Sequence, residues 1–497
     1  MRNDIAARAR EIALTLTAWP SVTGTLEEAG FAGKLADIIG HFDKVWTAPI
    51  AGDARANVFA LKRGRGRTTI VLTGHFDVVP AGDYGALEPL AFSPERLLPE
   101  TIARLQRTGE NALALADLES GDFLPGRGLL DMKAGLAAGL AAMEAYQGDA
   151  NLLFLAVADE EDRSAGARAA APLLASIAAE HDLDIALVIN LDAISDQGDG
   201  SSGRVVALGS IGKLLLTAFA VGKEAHACYP EDGANAAYLA AELVTEFELA
   251  PELAETSGAE VAAPPTALHA KDLKFGYNVT TPGRAWAYWN TLQHRRSAAE
   301  VLDISLNLAR RAMARAETKL KRAIPVMSFA ELSRHVPAGG MARSAERIAR
   351  LTHLDLPERS KLVTAEAWDA AGLSGAGVVM GFGSIPYPAV SLSDAGLGEV
   401  IVKAAAQHGL SHCRYFPGIS DMSFFGEALG DLAACAANTP GWGTGFTMPE
   451  AAGYPCINIG PWGRDYHHWL ERLHAPYAFG TLPRVLLSVI DAVAKAR

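Results

Sequence analysis

Three near-continuous apolar runs, Ile70 to Thr73, Leu152 to Ala158 and Ile185 to Asn190, each bounded by turn residues, constrain the fold of this chain more than anything else in it. Apolar runs without polar alternation suit strands buried on both faces, as in parallel sheets covered by helices on each side. The Ala-rich segment 164 to 180 lies between the last two and reads as a crossover helix. Helical spacing over residues 3 to 18, a second helix from Leu26 to Phe42 and a closing helix over 481 to 496 complete the pattern. The expectation is an α/β domain with a mostly parallel sheet.

After residue 203 the pattern changes. Leu214 to Val221 reads as a strand and Gly233 to Glu248 as a helix; Phe275 to Thr281 and Arg284 to Leu292 read as a hairpin around Pro282-Gly283, and Ser297 to Lys319 as a long helix. That β-α-β-β-α order makes a two-layer α+β unit. A chain of 497 residues exceeds what one ordinary core organises. The expected organisation is therefore a discontinuous domain over 1–203 and 321–497, with 204–320 inserted into it. The glycines of 375 to 383 lack the spacing of a nucleotide-binding loop and read as turns.

Charge narrows the partners. Lys and Arg number 44 against 57 Asp and Glu, a formal charge of -13 that repels phosphate backbones and anionic membrane surfaces. Neither nucleic acid nor a membrane is expected. The apolar stretch Ala134 to Met143 falls well short of the roughly 20 residues that span a bilayer, and it reads as a buried helix. Cys228, Cys413, Cys435 and Cys456 show no C-x-x-C spacing, and charged residues interrupt the N-terminus where a secretion signal would be apolar. Reduced thiols in a cytoplasmic protein are expected.

The chemistry sits at the ends of the apolar runs. His75 and Asp77 follow the first run two residues apart, so an imidazole and a carboxylate share one side of the chain; a satisfied histidine at a strand end is the plain alternative. Asp131 stands just ahead of the Ala/Gly-rich helix, where a capping aspartate would also stand. Asp159-Glu160-Glu161-Asp162 follows the second run, a concentration of like charge that a cation or a shared proton would relieve and that a solvated turn would tolerate. Asp192 follows the third, and His467-His468 with Glu471 comes near the C-terminus. Acids at the carboxyl ends of parallel strands converge where open α/β sheets bind ligands. Nitrogen and oxygen donors without thiolate suit Zn2+, Mn2+ or Co2+.

In that order the motifs resemble the dinuclear-zinc aminoacylase and carboxypeptidase superfamily, metallopeptidase family twenty, which includes acetylornithine deacetylase and succinyl-diaminopimelate desuccinylase. They are Pro20-Ser21-Val22-Thr23-Gly24, Gly74-His75-Phe76-Asp77-Val78-Val79-Pro80, Gly126-Arg127-Gly128 with Asp131-Met132-Lys133, Glu160-Glu161, and His467 four before Glu471. Within it the chain is most similar to the branch named for arginine utilisation. The resemblance implies two Zn2+ per chain, with Co2+ or Mn2+ as substitutes. His75 and Asp192 would complete one site, Glu161 and His467 the other, and Asp131 would bridge them. Asp77 would orient His75, Glu160 would be the general base, and His226 of the inserted domain would stabilise the oxyanion, often across a dimer interface. Two Zn2+ against three carboxylates and one hydroxide leave such a site neutral.

The implied activity is hydrolysis of an amide bond in a small peptide or N-acyl amino acid, placed by the branch in amino-acid catabolism, by a homodimer formed through the inserted domain. One departure stands out. Where the family carries an Asp-x-Arg on a late strand of the inserted domain, this chain reads Tyr288-Trp289-Asn290-Thr291-Leu292, so recognition of a free substrate carboxylate would fall to Arg284, Arg295 or Arg296. His468 rivals His467, and Ser420-Asp421-Met422 resembles another loop near the site. A catalytically altered binding protein of the same fold and a dinuclear metal phosphoesterase remain alternatives.

Overall fold

A computed structural model describes residues 5–258 and 260–497. The chain divides into two compact units: Met1–Ser210 with Val390–Glu427 and Glu450–Arg497, and Ile211–Ala389 with Ala428–Pro449.

The first unit is built on an eight-stranded sheet in the order Lys44–Pro49, Ala56–Lys62, Asn151–Val157, Thr68–His75, Asp184–Asn190, Cys456–Asn458, Val205–Ala207, Ser411–Cys413. Its centre is parallel: Thr68–His75 pairs in parallel with both Asn151–Val157 and Asp184–Asn190, which in turn pairs with Cys456–Asn458. The three apolar runs are thus the middle of the sheet, and they are buried as their composition requires. Helices Ile5–Thr17, Ala134–Ala145 and Leu482–Ala496 pack against one another. The last is apolar and long enough, with Pro476–Thr481, to pass for a membrane span, yet Leu482, Val485, Leu486, Val489, Ile490 and Val493 all lie in the core.

Small residues set how closely the Ala134–Ala145 helix approaches. A Cβ on Gly135 would stand 2.1 Å from the carbonyl oxygen of Leu191, so only glycine lets the helix sit against the segment that carries Asp192. Gly460 faces the same segment, where an added Cβ would stand 1.9 Å from the carbonyl oxygen of Asp192.

The second unit has a five-stranded sheet ordered Thr266–Asp272, Arg284–Gln293, Gly212–Val221, Gly377–Phe382, Val326–Ser328. Helices Ala236–Phe247 and Ala298–Leu320 cover one face, where Leu214, Leu216, Trp289, Leu243 and Leu308 meet. The alternate side chains Phe219 and Val221 turn to the other face, with Trp286, Trp368 and Val379. The expected β-α-β-β-α core is present, but the unit does not end at residue 320. It runs on to Ala389, because Gly377–Phe382 pairs antiparallel with Gly212–Val221 and brings Val326–Ser328 with it.

Three elements differ from expectation. The hairpin partner of Arg284–Gln293 is Thr266–Asp272 rather than 275–281, since a strand needs a face to bury and Phe275 and Tyr277 are fully or nearly fully exposed. The segment 164 to 180 breaks at Pro172 into Ala165–Ala170 and Leu173–Glu180. The second helix stops at Ile38, short of Phe42. The N-terminal helix is described from Ile5, so the expected start at residue 3 lies outside the described residues.

Candidate metal centre

His75 is the last residue of the central strand Thr68–His75, level with Val157 on the neighbouring strand. Its Nδ1 lies 3.0 Å from the backbone carbonyl oxygen of Asp77 and 3.6 Å from that residue's carboxylate. A carbonyl oxygen only accepts, so Nδ1 carries the proton and Nε2 faces the cluster. The nearer partner of Nδ1 is therefore the main-chain carbonyl of Asp77, with the carboxylate that the sequence offers for this role lying farther off. The Asp77 carboxylate does something else: it accepts the N–H groups of Glu160 at 3.0 Å and Glu161 at 3.2 Å, and the Thr23 hydroxyl at 2.9 Å.

Asp131 stands between two histidines. Its Oδ1 is 3.2 Å from His75 Nε2 and its Oδ2 is 3.1 Å from His467 Nε2. His467 Nε2 also lies 3.1 Å from Glu161, while Asp192 Oδ1 and Glu160 Oε2 lie 3.7 and 4.0 Å from His75 Nε2. His468 is turned away, with its Nδ1 accepting the N–H of Leu470 at 3.2 Å. Donor atoms of His75, Asp131 and Glu161 lie within 4.8 Å of one another.

Each member is held from behind. Glu471 accepts the N–H groups of Leu130 at 3.2 Å and Asp131 at 3.4 Å, and is itself paired with Arg127 at 2.8 Å. The side chain of Asn458 bonds both edges of the Asp192 backbone, accepting its N–H and donating to its carbonyl. Asp465, two before His467, accepts the Arg472 guanidinium at 2.5 Å. Both Asp465 and His467 adopt left-handed backbone, with φ 54° and 63°.

The electrostatics follow from burial and crowding. Burial opposes charge on His467, yet Asp131 and Glu161 prevail and raise its pKa to about 10. Burial likewise opposes charge on His75, and Asp131 with Asp192 overcomes it. Asp131 is the reverse case, a buried carboxylate that the two histidines hold below its ordinary value. Burial, reinforced by neighbouring acids, pushes Glu160 well above the usual carboxylate range and raises Glu161 and Asp192. Asp421 is buried close enough to feel Asp77 and Asp192, and burial takes it up to about 7.

The profile of peptidase family M20/M25/M40 matches residues 71–446. The Bacillus subtilis (strain 168) protein YqjN is 32% identical over 97% of this chain and 95% of its own length. The chain belongs to peptidase family M20/M25/M40. Protein RocB of the same organism is 28% identical over 97% of this chain and 94% of its own. Among solved structures, a tripeptidase from Staphylococcus aureus subsp. aureus Mu50 covers 99% of each chain with a TM-score of 0.57 at 16% identity. Human carnosine dipeptidase 1 covers 99% of this chain and 98% of its own at 0.54 and 11% identity.

The residues of this M20 chain fit a divalent cation. Two imidazole nitrogens and the carboxylates of Asp131, Glu160, Glu161 and Asp192 converge without a thiolate, and Asp131 offers one oxygen to each side, a donor set suited to zinc-like ions. His226 belongs to the second unit, where it is exposed and its Nδ1 accepts the N–H of Cys228 at 3.1 Å. Of the arginines considered for a substrate carboxylate, Arg284 pairs with Asp369 and Arg296 donates to the carbonyl of Glu252. Asn458, Arg472, Arg55 and Glu28 are not legible in the sequence, because the partners Asp192, Asp117 and Asp159 that Asn458, Arg472 and both Arg55 and Glu28 meet lie far away along the chain and leave no local pattern.

Proposed function

We propose that this M20 protein hydrolyses an amide bond of a peptide or N-acyl amino acid, using two zinc ions per chain. One observation carries the reading: the two oxygens of Asp131 are divided between His75 and His467. His75 and Asp192 would hold one ion and Glu161 and His467 the other, with Asp131 shared. Bound there, the ions would polarise the scissile carbonyl and make a water acidic enough to lose a proton near neutral pH.

The chain's own part falls to Glu160. Its carboxylate stands 4.0 Å from His75 Nε2, at the edge of the donor set. Burial raises its proton affinity, so it can take the proton of the attacking water and pass it to the leaving amine. The backbone N–H held by Asp77 fixes where that carboxylate starts. His226 serves as the oxyanion donor in this proposal, with the second unit acting as lid and homodimer contact in a cytoplasmic enzyme. Full-length kinship with RocB supports a place in amino-acid breakdown, arginine included.

The test is metal analysis with a panel of N-acyl amino acids, dipeptides and phosphoesters. Two zinc ions per chain and amide turnover are expected, with Glu160→Gln lowering kcat by about 100- to 10,000-fold at unchanged metal content. Absence of zinc overturns the reading. Phosphoester turnover alone would make it a phosphoesterase, and zinc without turnover a binding protein.

A further inference from the structure

Behind the acidic pair lies a second group of charges that the reaction does not touch. Arg55 is 6% exposed, Glu28 0% and Asp159 1%. One Arg55 nitrogen, Nη1, donates to Asp159 Oδ1 at 2.5 Å and to both oxygens of Glu28 at 3.1 Å. The rest of the guanidinium grips Asp53, Nε at 2.9 Å and Nη2 at 2.6 Å.

What this group holds is the turn before Glu160. Asp159 has φ 67°, a left-handed conformation uncommon for a residue with a side chain. Its N–H goes to Glu28 Oε1 at 3.0 Å, and the next two N–H groups go to the two oxygens of Asp77. Three successive amides at 159, 160 and 161 are therefore each received by a carboxylate. The Asp159 carboxylate closes the turn from the other side, accepting Arg55 and the N–H of Ala165 at 3.2 Å. Without a fork at position 55, three buried carboxylates would face one another around that turn.

We propose that Arg55 is a positioning residue for Glu160 and Glu161, acting through Asp159 and Glu28. This rests on the roles given above to Glu160 as base and Glu161 as metal donor. Arginine is required because one planar group serves three carboxylates at fixed angles; lysine supplies the charge as a single point. Arg55 bonds Asp53, Glu28 and Asp159, none of which is among the proposed metal donors. Its effect is felt mainly at one ion and at the proton transfer, and less at the His75 and Asp192 side, which Asn458 and the Asp77 carbonyl hold without contact to Arg55.

The experiment uses the full-length chain, stripped of metal and titrated with zinc by calorimetry, alongside steady-state kinetics and thermal melts. Arg55→Lys and Asp159→Asn are compared with the parent; asparagine tolerates the left-handed backbone, so the second variant keeps the test open should the first not fold. Each is expected to weaken one zinc-binding step by about 10- to 100-fold and to lower kcat by a similar factor, with the other binding step and KM near the parent's. Unchanged isotherms and kcat in a folded variant would overturn the proposal. So would an equal loss at both binding steps, or activity that merely tracks the folded fraction. Zinc binding by the parent without amide turnover would sink the proposed function alone, since the isotherms still decide the role of Arg55. A parent that binds no zinc sinks both.

Discussion

Oδ1 of Asp77 accepts the backbone N–H of Glu160 at 3.0 Å. The side chain that sequence assigns to the histidine is committed to the base, while the histidine takes the main-chain carbonyl. Asp77→Asn should separate the two. It replaces one accepting oxygen by a donor facing an N–H, and is expected to cost about 1–3 kcal/mol in urea unfolding. It should lower kcat by about 10- to 100-fold while zinc at the His75 side stays bound. Loss of that zinc instead would restore the carboxylate as the orienting group.

The neighbouring histidines make opposite predictions. His467 Nε2 is shared between Asp131 and Glu161, whereas His468 Nδ1 accepts a backbone N–H. His467→Ala should reduce zinc content from two ions to one and abolish turnover. His468→Ala should keep both ions and cost no more than about 1 kcal/mol of stability. Metal analysis of the two purified variants distinguishes them.

Arg127 and Glu471 are each 1% exposed and paired at 2.8 Å, with Glu471 carrying the amides of Leu130 and Asp131. Removing the arginine strands a buried carboxylate. Arg127→Met is expected to cost about 3–5 kcal/mol in urea unfolding. Adding Glu471→Gln should then cost less than it does alone, because the two side chains are coupled.

The metal-free protein should lose stability as pH rises from about 4 to about 7. Burial raises Asp421 from 3.8 to about 7, and Glu28 and Glu471 from 4.5 to about 7. A folded-state pKa above the unfolded one favours the protonated fold; that contribution is whole below the unfolded value and gone above the folded one. His467, raised from 6.5 to about 10, starts to lose its contribution near pH 6.5 and goes on losing it to about pH 10, and the lowered pKa of Asp131 acts only at lower pH. Melts of the stripped protein should fall between pH 5 and pH 7, and zinc should flatten the decline. A rising melting temperature over that range would refute the assignment.

Much of the centre can be read from the sequence because its parts sit where hydrophobic runs stop. His75, Glu160, Glu161 and Asp192 follow buried strands, and Asp131 precedes a helix whose Ala/Gly content announces burial. Their supports are hidden. Arg55 meets Asp159 across 104 positions and Asn458 meets Asp192 across 266, and no window of sequence contains either pair. The edge strand Thr266–Asp272 escaped for a related reason: half exposed, it has a weaker pattern than the aromatic loop after it. Residues 321–389 join the second unit through pairing between strands far apart in the chain, which composition does not encode.

The order of the donors along the chain gives synthesis a sequence of its own. His75, Asp131, Glu160, Glu161 and Asp192 all precede Ile211, where the second unit begins; His467 arrives only after the chain has returned to the first unit at Glu450. A growing polypeptide therefore carries most of the candidate donors before the second unit is made, and receives His467 together with Asn458 and Glu471, which hold Asp192 and Asp131, only after that unit is passed. Capture of an ion by His467 would mark a chain that has returned to its first unit, and a product cut short before that loop would keep an unfinished, acid-rich pocket.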